Sequence, residues 1–137
     1  MSLELVPVRS DQLEASRHLW FPFVAAIAKR QRCYMEQRLA DIYSGNVALI
    51  LVWDNEAKQA RAIIGYSILQ RGADRALKLI WATGDDRPEW LGLYAQLERW
   101  AIDAGCKSIS AVARPGWSKD LKEWGYKLTH VEYEKEL

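Results

Sequence analysis

The sequence is poor in the residues that bind metals or form cross-links. It has two cysteines, Cys33 and Cys106, outside any CxxC pair, and two isolated histidines, His18 and His130. Separate thiols give neither a disulfide framework nor a zinc ligand set, and a histidine needs partners for catalysis or metal binding. We therefore predict that the protein binds no metal and that both histidines have surface or structural roles. We also predict a reducing, cytoplasmic location.

An excess of charge of one sign is also missing. The 19 basic and 18 acidic residues leave a formal net charge of +1, so no long-range field attracts nucleic acid or a membrane surface. The basic run at 29–32 allows a phosphate contact, but a solvated helix end suits a nearly neutral chain better. No apolar stretch approaches the ~18–20 residues of a transmembrane helix, and the N-terminus lacks the apolar core of a signal peptide. We expect no membrane partner, and nucleic acid is disfavoured.

The chain does have the length and hydrophobic content of one globular domain. Its 137 residues, 50% of them hydrophobic and 27% charged, suffice for a core and argue against disorder. No repeat or linker divides it, so we predict a single domain over residues 1–137. Seven tryptophans favour a core built from large rings; the alternative is that some of them line a cleft.

The N-terminal hydrophobic pattern predicts a strand and then a helix. Leu3–Arg9 is typical of an edge strand because Pro7 interrupts it. Asp11 and Glu14 have the spacing of a capping box that opens a helix, with a kink or restart at Pro22. The apolar stripe of this helix consists of Leu13, Trp20, Val24 and Ile27.

A second short helix ends at Gly45, and three antiparallel strands follow, because short apolar runs alternate with polar turns. We place these strands at residues 47–53, 62–69 and 77–82. The helix with the clearest pattern in the chain comes next and closes at Gly105, with an apolar face at steps of three and four residues. That face consists of Trp90, Leu93, Tyr94, Leu97, Trp100, Ala101 and Ala104.

The C-terminal part predicts one more strand, a short helix and a last strand. Lys107–Ala113 is a strand parallel to its predecessor, because a helix joins the two. A short helix begins near Ser118 and ends at Gly125, and Leu128–Lys135 alternates as a final strand. In the long helix we expect Trp90, Leu97 and Trp100 to be buried and Arg99 and Asp103 to be exposed.

This order of elements resembles the GNAT fold of the acyl-CoA N-acyltransferases. The stretch from Leu97 to Lys107 is similar to the helix-to-strand segment of many members, which often ends in Gly-Cys and a basic residue. The stretch from Leu121 to Tyr126 is similar to their closing helix, which ends in glycine plus an aromatic residue. The resemblance implies a mixed α/β sheet, mostly antiparallel with one parallel strand pair and flanked by helices. It also implies transfer of an acetyl group from acetyl-CoA to an amine.

The coenzyme-binding loop departs from the family pattern. Active members carry R/Q-x-x-G-x-G/A after the strand, where glycines and free N–H groups hold the pyrophosphate. Here the stretch is Arg87-Pro88-Glu89-Trp90-Leu91-Gly92. Arg87 and Gly92 fit, but Trp90 replaces the first glycine and Pro88 removes one N–H. We therefore predict that no cofactor is bound in the usual way; acetyl-CoA remains the cofactor if the chain is active.

The proton donor of the family is also replaced. Many members have a tyrosine four residues before the glycine of the last helix, and the matching residue here is Leu121. Leucine cannot protonate a departing thiolate. Tyr94 and Tyr126 are near in sequence, so the catalytic residues stay open.

A narrower likeness is to small GNAT-like proteins encoded by bacteriophages and prophages. It rests on Asp41–Gly45 before a hydrophobic strand, on Glu98–Cys106, and on Arg114–Trp117 followed by Leu121 and Gly125-Tyr126. Members of that group often lack the glycine loop as well. The likeness implies a phage-related protein in the host cytoplasm or associated with the virion.

Several residues are candidates for a ligand site near the cofactor cleft. Arg114 and Trp117 flank a Pro-Gly turn, either as an anion ligand and a pocket wall or as parts of a rigid turn. Asp85 and Asp86 are either a general-base pair or helix caps. The full set of candidate cofactor-binding residues is Ala82, Thr83, Arg87, Trp90, Leu91, Gly92, Arg114 and Trp117.

Three classes of function remain from the sequence. The first is an interaction protein that has a GNAT fold, a degenerate acetyl-CoA loop and an unknown protein partner. The missing loop glycine favours this class. The second is an atypical N-acetyltransferase acting on a small amine, in which strand 77–83 would hold the pantetheine arm. A nucleic-acid-binding protein is the third, and the charge balance disfavours it.

Overall fold

A five-stranded mixed sheet organises the molecule. The computed structural model describes residues 3–31, 33–84, 93–111 and 118–137. The strands, in order along the chain and across the sheet, are β1 (Leu3–Pro7), β2 (Ala48–Asp54), β3 (Gln59–Arg71), β4 (Asp74–Gly84) and β5 (Cys106–Ala111). The first three pairings are antiparallel, and β4 pairs with β5 in parallel. The predicted α/β class with one parallel strand pair is confirmed, and β1 lies at the edge where Pro7 is tolerated.

Helices cover both faces of this sheet. They are α1 (Arg17–Arg30), α2 (Met35–Tyr43), α3 (Tyr94–Asp103) and α4 (Ser118–Glu123). Helices α1 and α2 pack on one face, and α3 packs on the other. Because α3 connects β4 to β5, it provides the crossover that a parallel pair requires.

The α1 face holds a core of fully buried side chains. Trp20, Val24 and Ile27 are each 0% exposed, which confirms three members of the predicted stripe, whereas Leu13 is buried but precedes the helix. The Trp20 indole Nε1 donates a hydrogen bond to the Leu13 carbonyl at 3.2 Å. A large ring that also satisfies its polar atom stabilises the entry of the chain into α1.

The start of this helix differs from the prediction. Helix α1 begins at Arg17, after a short 3-10 turn at Ser10–Gln12. Asp11 pairs with Arg9 at 3.2 Å, and the Glu14 carboxylate accepts a hydrogen bond from the Tyr43 hydroxyl at 2.6 Å. The predicted capping box is wrong because both acidic side chains have other partners.

The α3 face is less closed. Leu97 is buried while Arg99 and Asp103 are exposed, as predicted. Trp100 is only half-buried, which corrects the expectation of full burial. The Trp100 ring meets the Tyr66 ring of β3 edge-on, with centroids 4.8 Å apart. Trp100 therefore covers the Tyr66 side chain from the outside and is not itself enclosed in the core. Trp90 lies outside the described residues.

The C-terminal segment carries the largest correction. Helix α4 is followed by Gly125 at φ +89°, as its predicted stop requires. Residues 126–137 then have no regular secondary structure, so the strand predicted at 128–135 is wrong for this chain. An alternating pattern of side chains is not enough to form a strand, because a strand also needs a neighbour to which its backbone can hydrogen-bond. No strand in the described part of the chain pairs with this segment.

Candidate functional site

The candidate site is the end of the sheet where β4 extends past the last described residue of β5. The parallel pairing ends at Leu79 and Ala111, whereas β4 stays paired with β3 as far as Gly84. Ile80–Gly84 therefore has an outer edge with no strand partner among the residues described. Unpaired N–H and C=O groups on a strand edge can bind an extended ligand.

A β-bulge lies where this open edge begins. Gly65 is opposite Trp81 and Tyr66 is opposite Leu79, so Ile80 has no residue directly across from it. Leu79 consequently packs on the α3 side, while the consecutive residues Ile80 and Trp81 both pack on the α1 side. Bulges commonly turn side chains in this way beside functional sites.

Trp81 forms the floor of the open end on the α1 side. Its side chain is 3% exposed, and a Cβ at Gly65 would lie 2.7 Å from its Cε3 atom. The Arg38 guanidinium from α2 lies 5.8 Å from the ring centroid, a separation that permits a cation–π contact. The Trp81 Nε1 and the Arg38 Nε are buried and have no hydrogen-bond partner in the described part of the chain.

Three aromatic rings close the other side and link α3 to the end of α4. Tyr94 stacks on Trp124 with centroids 4.6 Å apart, and Tyr126 lies 5.9 Å from Tyr94. We call these three residues the aromatic stack. It places the phenol groups of Tyr94 and Tyr126 beside α3. Ala82 of β4 packs on this same face of the sheet.

The hydroxyls of the aromatic stack stay protonated at neutral pH. Burial raises the pKa of Tyr94, and the Tyr126 and Glu98 side chains raise it further. Burial also raises the pKa of Tyr126. The Tyr126 hydroxyl is buried without a partner at hydrogen-bonding geometry among the residues described, although the two phenols perturb each other's pKa. These groups can donate a proton or a hydrogen bond, but they cannot act as bases near pH 7.

The buried carboxylate of the described residues belongs to a turn. Asp54 is 2% exposed and accepts hydrogen bonds from the backbone N–H groups of Glu56 and Ala57 at 3.0 and 3.1 Å. The Arg61 guanidinium contacts its other oxygen at 3.0 Å. The Ala57 N–H lowers the pKa of Asp54, and Arg61 lowers it further. A carboxylate with depressed pKa and occupied oxygens is a poor general base.

The structure reaches two of the residues predicted for cofactor binding. Ala82 and Thr83 lie half-buried on the open part of β4. The others lie outside the described residues, together with Asp85 and Asp86; they are Arg87, Trp90, Leu91, Gly92, Arg114 and Trp117. His18 and His130 are exposed, and the described ranges contain no group of three His, Cys, Asp or Glu side chains that could hold a metal.

Sequence reasoning missed Gly65, Trp81 and Arg38 as members of this site. A signal for Gly65 was present, because an isolated glycine within a strand pattern indicates a bulge or a close approach. Pairing Arg38 with Trp81 depends on how α2 packs against β4, which no local pattern reveals.

Comparison with known proteins identifies the fold and nothing finer. No family model matches the sequence, and no curated protein sequence matches it significantly. Among solved structures, a ribosomal-protein-alanine N-acetyltransferase from Brucella melitensis has a TM-score of 0.72 at 12% identity, covering 99% of each chain. A Vibrio cholerae integron cassette protein has a TM-score of 0.68 at 18% identity, covering 100% of this chain and 93% of its own.

A third similar structure has a coenzyme bound. The aminoglycoside N-acetyltransferase AAC(6')-Iy, in complex with CoA, has a TM-score of 0.63 at 18% identity, covering 99% of this chain and 96% of its own. At these identities the likeness establishes the GNAT fold, as the sequence predicted. The narrower likeness to phage-encoded proteins stays a prediction. No helix within the described ranges is long and apolar enough to cross a membrane.

Proposed function

We propose that this GNAT-fold chain does not transfer acetyl groups and acts by binding a protein partner in a phage-related setting. The observation that carries the proposal is the sequence that follows the open end of β4. Where a glycine backbone should approach the pyrophosphate of acetyl-CoA, the chain has Trp90, and Pro88 removes one N–H donor.

The charge around that stretch adds to the argument. Asp85, Asp86 and Glu89 precede Trp90, and each exposed like-charge contact with a phosphate costs on the order of 0.5 kcal/mol. A helix N-terminus favours an anion by about the same amount, so it does not offset the three acidic residues. Backbone groups at Ile80–Gly84 suit an extended ligand arm, but the residues after them do not suit a pyrophosphate.

The side chains beside the open end point the same way. An amine acceptor must lose a proton during acetyl transfer, and a base with a pKa near neutrality serves this step best. Three of the titratable groups located there, Tyr66, Tyr94 and Tyr126, have a pKa raised by burial, and the Glu98 carboxylate lies beside the last two. Asp54 has a lowered pKa and is held by Arg61.

Calorimetric titration of the full chain with acetyl-CoA tests this proposal. We expect no binding at physiological concentration. The matched variant Trp90→Gly restores the glycine of the family pattern, and binding gained by this variant alone would show that the ring blocks an otherwise intact cleft. Micromolar binding to the unmodified chain, with thioester turnover on any member of an amine panel, would overturn the proposal.

The alternative is an atypical N-acetyltransferase, and two observations favour it. The edge of β4 at Ile80–Gly84 is free of a strand partner in the described part of the chain. The Tyr126 hydroxyl is a buried, protonated donor. This alternative requires turnover that falls in Tyr126→Phe while the protein stays folded.

A further inference from the structure

Two buried nitrogen donors lie on the α1 face beside the open end of β4. One is the Nε1 of Trp81, and the other is the Nε of Arg38, whose guanidinium α2 brings over the Trp81 ring. Neither atom has a hydrogen-bond acceptor within the described ranges. Native proteins pair nearly all of their buried polar groups, so two unpaired donors in contacting side chains indicate a position at which a ligand supplies the acceptor.

Trp81 is the fixed member of this pair. Its side chain is 3% exposed, and a Cβ at Gly65 would lie 2.7 Å from its Cε3 atom, so the ring fills the space above that glycine. The bulge at this point of β4 directs the ring to the α1 face. A ring enclosed in this way holds its Nε1 in place before a ligand arrives, which reduces the entropy cost of binding.

Arg38 is the adjustable member. Its side chain is 23% exposed, and Asp41, three residues further along α2, approaches its Nη1 at 3.7 Å, too long for a hydrogen bond. The N–H bonds of Nε and Nη2 point in the same direction and form the edge of a guanidinium that binds a carboxylate side-on. Asp41 lies at the third nitrogen, so nothing in the described part of the chain engages the Nε of this edge.

The chemistry of the two side chains selects the ligand. Guanidinium and indole N–H groups donate and do not accept hydrogen bonds, so the ligand must bring acceptor oxygens. The planar edge of Arg38 fits two coplanar oxygens, as in a carboxylate. The pair has one positive charge, and the nearby Asp41 carboxylate offsets part of it, which suits a monoanion better than a phosphate dianion.

We propose that Arg38 and Trp81 bind a carboxylate group at the open end of β4. The Nε–Nη2 edge of Arg38 takes its two oxygens, and the Trp81 indole donates to one of them. Both nitrogens are covered, so entry requires the partly exposed Arg38 side chain to turn outward. The site uses no residue of the 87–92 stretch, and the inference therefore stands whether or not the chain binds acetyl-CoA.

Nuclear magnetic resonance titration of the full chain tests this site with two carboxylate probes. N-acetylglycine has the carboxylate of a small acid, whereas N-acetylated, C-amidated glutamate has only the carboxylate of a protein side chain, so the tighter probe identifies the source of the ligand. We expect the Trp81 indole N–H signal, assigned by its absence in Trp81→Phe, to shift with a Kd of about 1–10 mM. Sodium chloride at equal ionic strength and inorganic phosphate are the comparison salts.

Three variants separate binding from a structural role, with the Kd followed at the backbone amides of β4. Arg38→Lys keeps the charge but loses the planar edge, and we expect the Kd to rise by about 10-fold. Trp81→Phe keeps a ring but loses the donor, and we expect a rise of about 5-fold or more. Asp41→Asn removes the competing carboxylate, and the Kd should fall by about 2-fold.

The matched control is Arg99→Lys, the same substitution at an exposed arginine of α3 on the other face of the sheet. We expect this variant to bind both probes as the parent does. An indole signal that moves no further with the probes than with sodium chloride would overturn the proposal. Phosphate binding at least as tight as that of the carboxylates, or equal affinities in Arg38→Lys and Arg99→Lys, would also overturn it.

Discussion

The two faces of the sheet are covered to different degrees. The α1 face is closed and stabilises the fold, whereas the α3 face leaves surface available for binding. On the α1 face, Trp20, Val24 and Ile27 are fully buried against β2 and β3. On the α3 face Ile50 and Val52 are also fully buried, but Tyr66, Tyr94 and Trp100 are only partly buried beside the open end of β4. Closed packing contributes most of the stability, whereas half-covered rings leave surface for a ligand or partner.

Truncating the centre of the closed face should have the largest effect. Trp20→Ala removes a ring that is 0% exposed, and we expect the free energy of unfolding to fall by about 3–5 kcal/mol. Urea denaturation followed by circular dichroism measures this loss. A loss below about 1 kcal/mol would show that α1 does not hold the core.

Overpacking between the two central strands comes next. Gly65→Ala places a methyl group 2.7 Å from the Trp81 ring, closer than side-chain atoms tolerate. We expect a destabilisation of about 1–3 kcal/mol. Combining it with Trp81→Leu makes room for the methyl group, so the cost of Gly65→Ala should become smaller in that background. An equal cost in both backgrounds would assign the effect to the backbone and not to the ring.

The open face should respond less. Trp100→Ala removes a half-buried ring that contacts Tyr66 at 4.8 Å, and we expect a loss of about 1–2 kcal/mol in the same denaturation experiment. The comparison with Trp20→Ala is the informative quantity. Equal losses for the two tryptophans would mean that the faces are closed to the same degree.

The smallest effect should depend on pH. The pKa of Asp54 is lowered by the Ala57 N–H and by Arg61, so its ionised form stabilises the fold above the pKa of the unfolded chain, about 3.9. That contribution is lost as pH falls through the lower folded-state pKa. Asp54→Asn should therefore be less stable than the parent at pH 7, and the gap should shrink below about pH 4. A stability difference that does not change with pH would show that the ionisation of Asp54 does not contribute to the free energy of unfolding.

Regular elements were predictable where burial repeats along the chain. The stripe of Trp20, Val24 and Ile27 follows from the helical period, and the parallel pairing of β4 with β5 follows from the helix that connects them. The start of α1 was not predictable, because the partner of Glu14 is Tyr43, 29 residues away. Alternation at 128–135 was read as a strand, but pairing depends on a neighbour that the pattern does not contain.

The site was predictable only in part for a similar reason. Ala82 and Thr83 follow from the order of elements, since β4 must end at the cleft. The Gly65–Trp81 contact arises from the bulge that leaves Ile80 without a residue opposite. The position of Arg38 over Trp81 arises from helix packing. Such contacts join residues distant in sequence, and no spacing along the chain encodes them.

Amide hydrogen exchange with and without acetyl-CoA tests the central claim most directly, because it reports on the open end of β4 residue by residue. The account predicts that the amides of Ile80–Gly84 exchange at the same rate in both conditions, since the loop that follows cannot hold the pyrophosphate. Protection of these amides by acetyl-CoA, with β2 and β3 unchanged, would show that the open edge binds the coenzyme and would contradict the account.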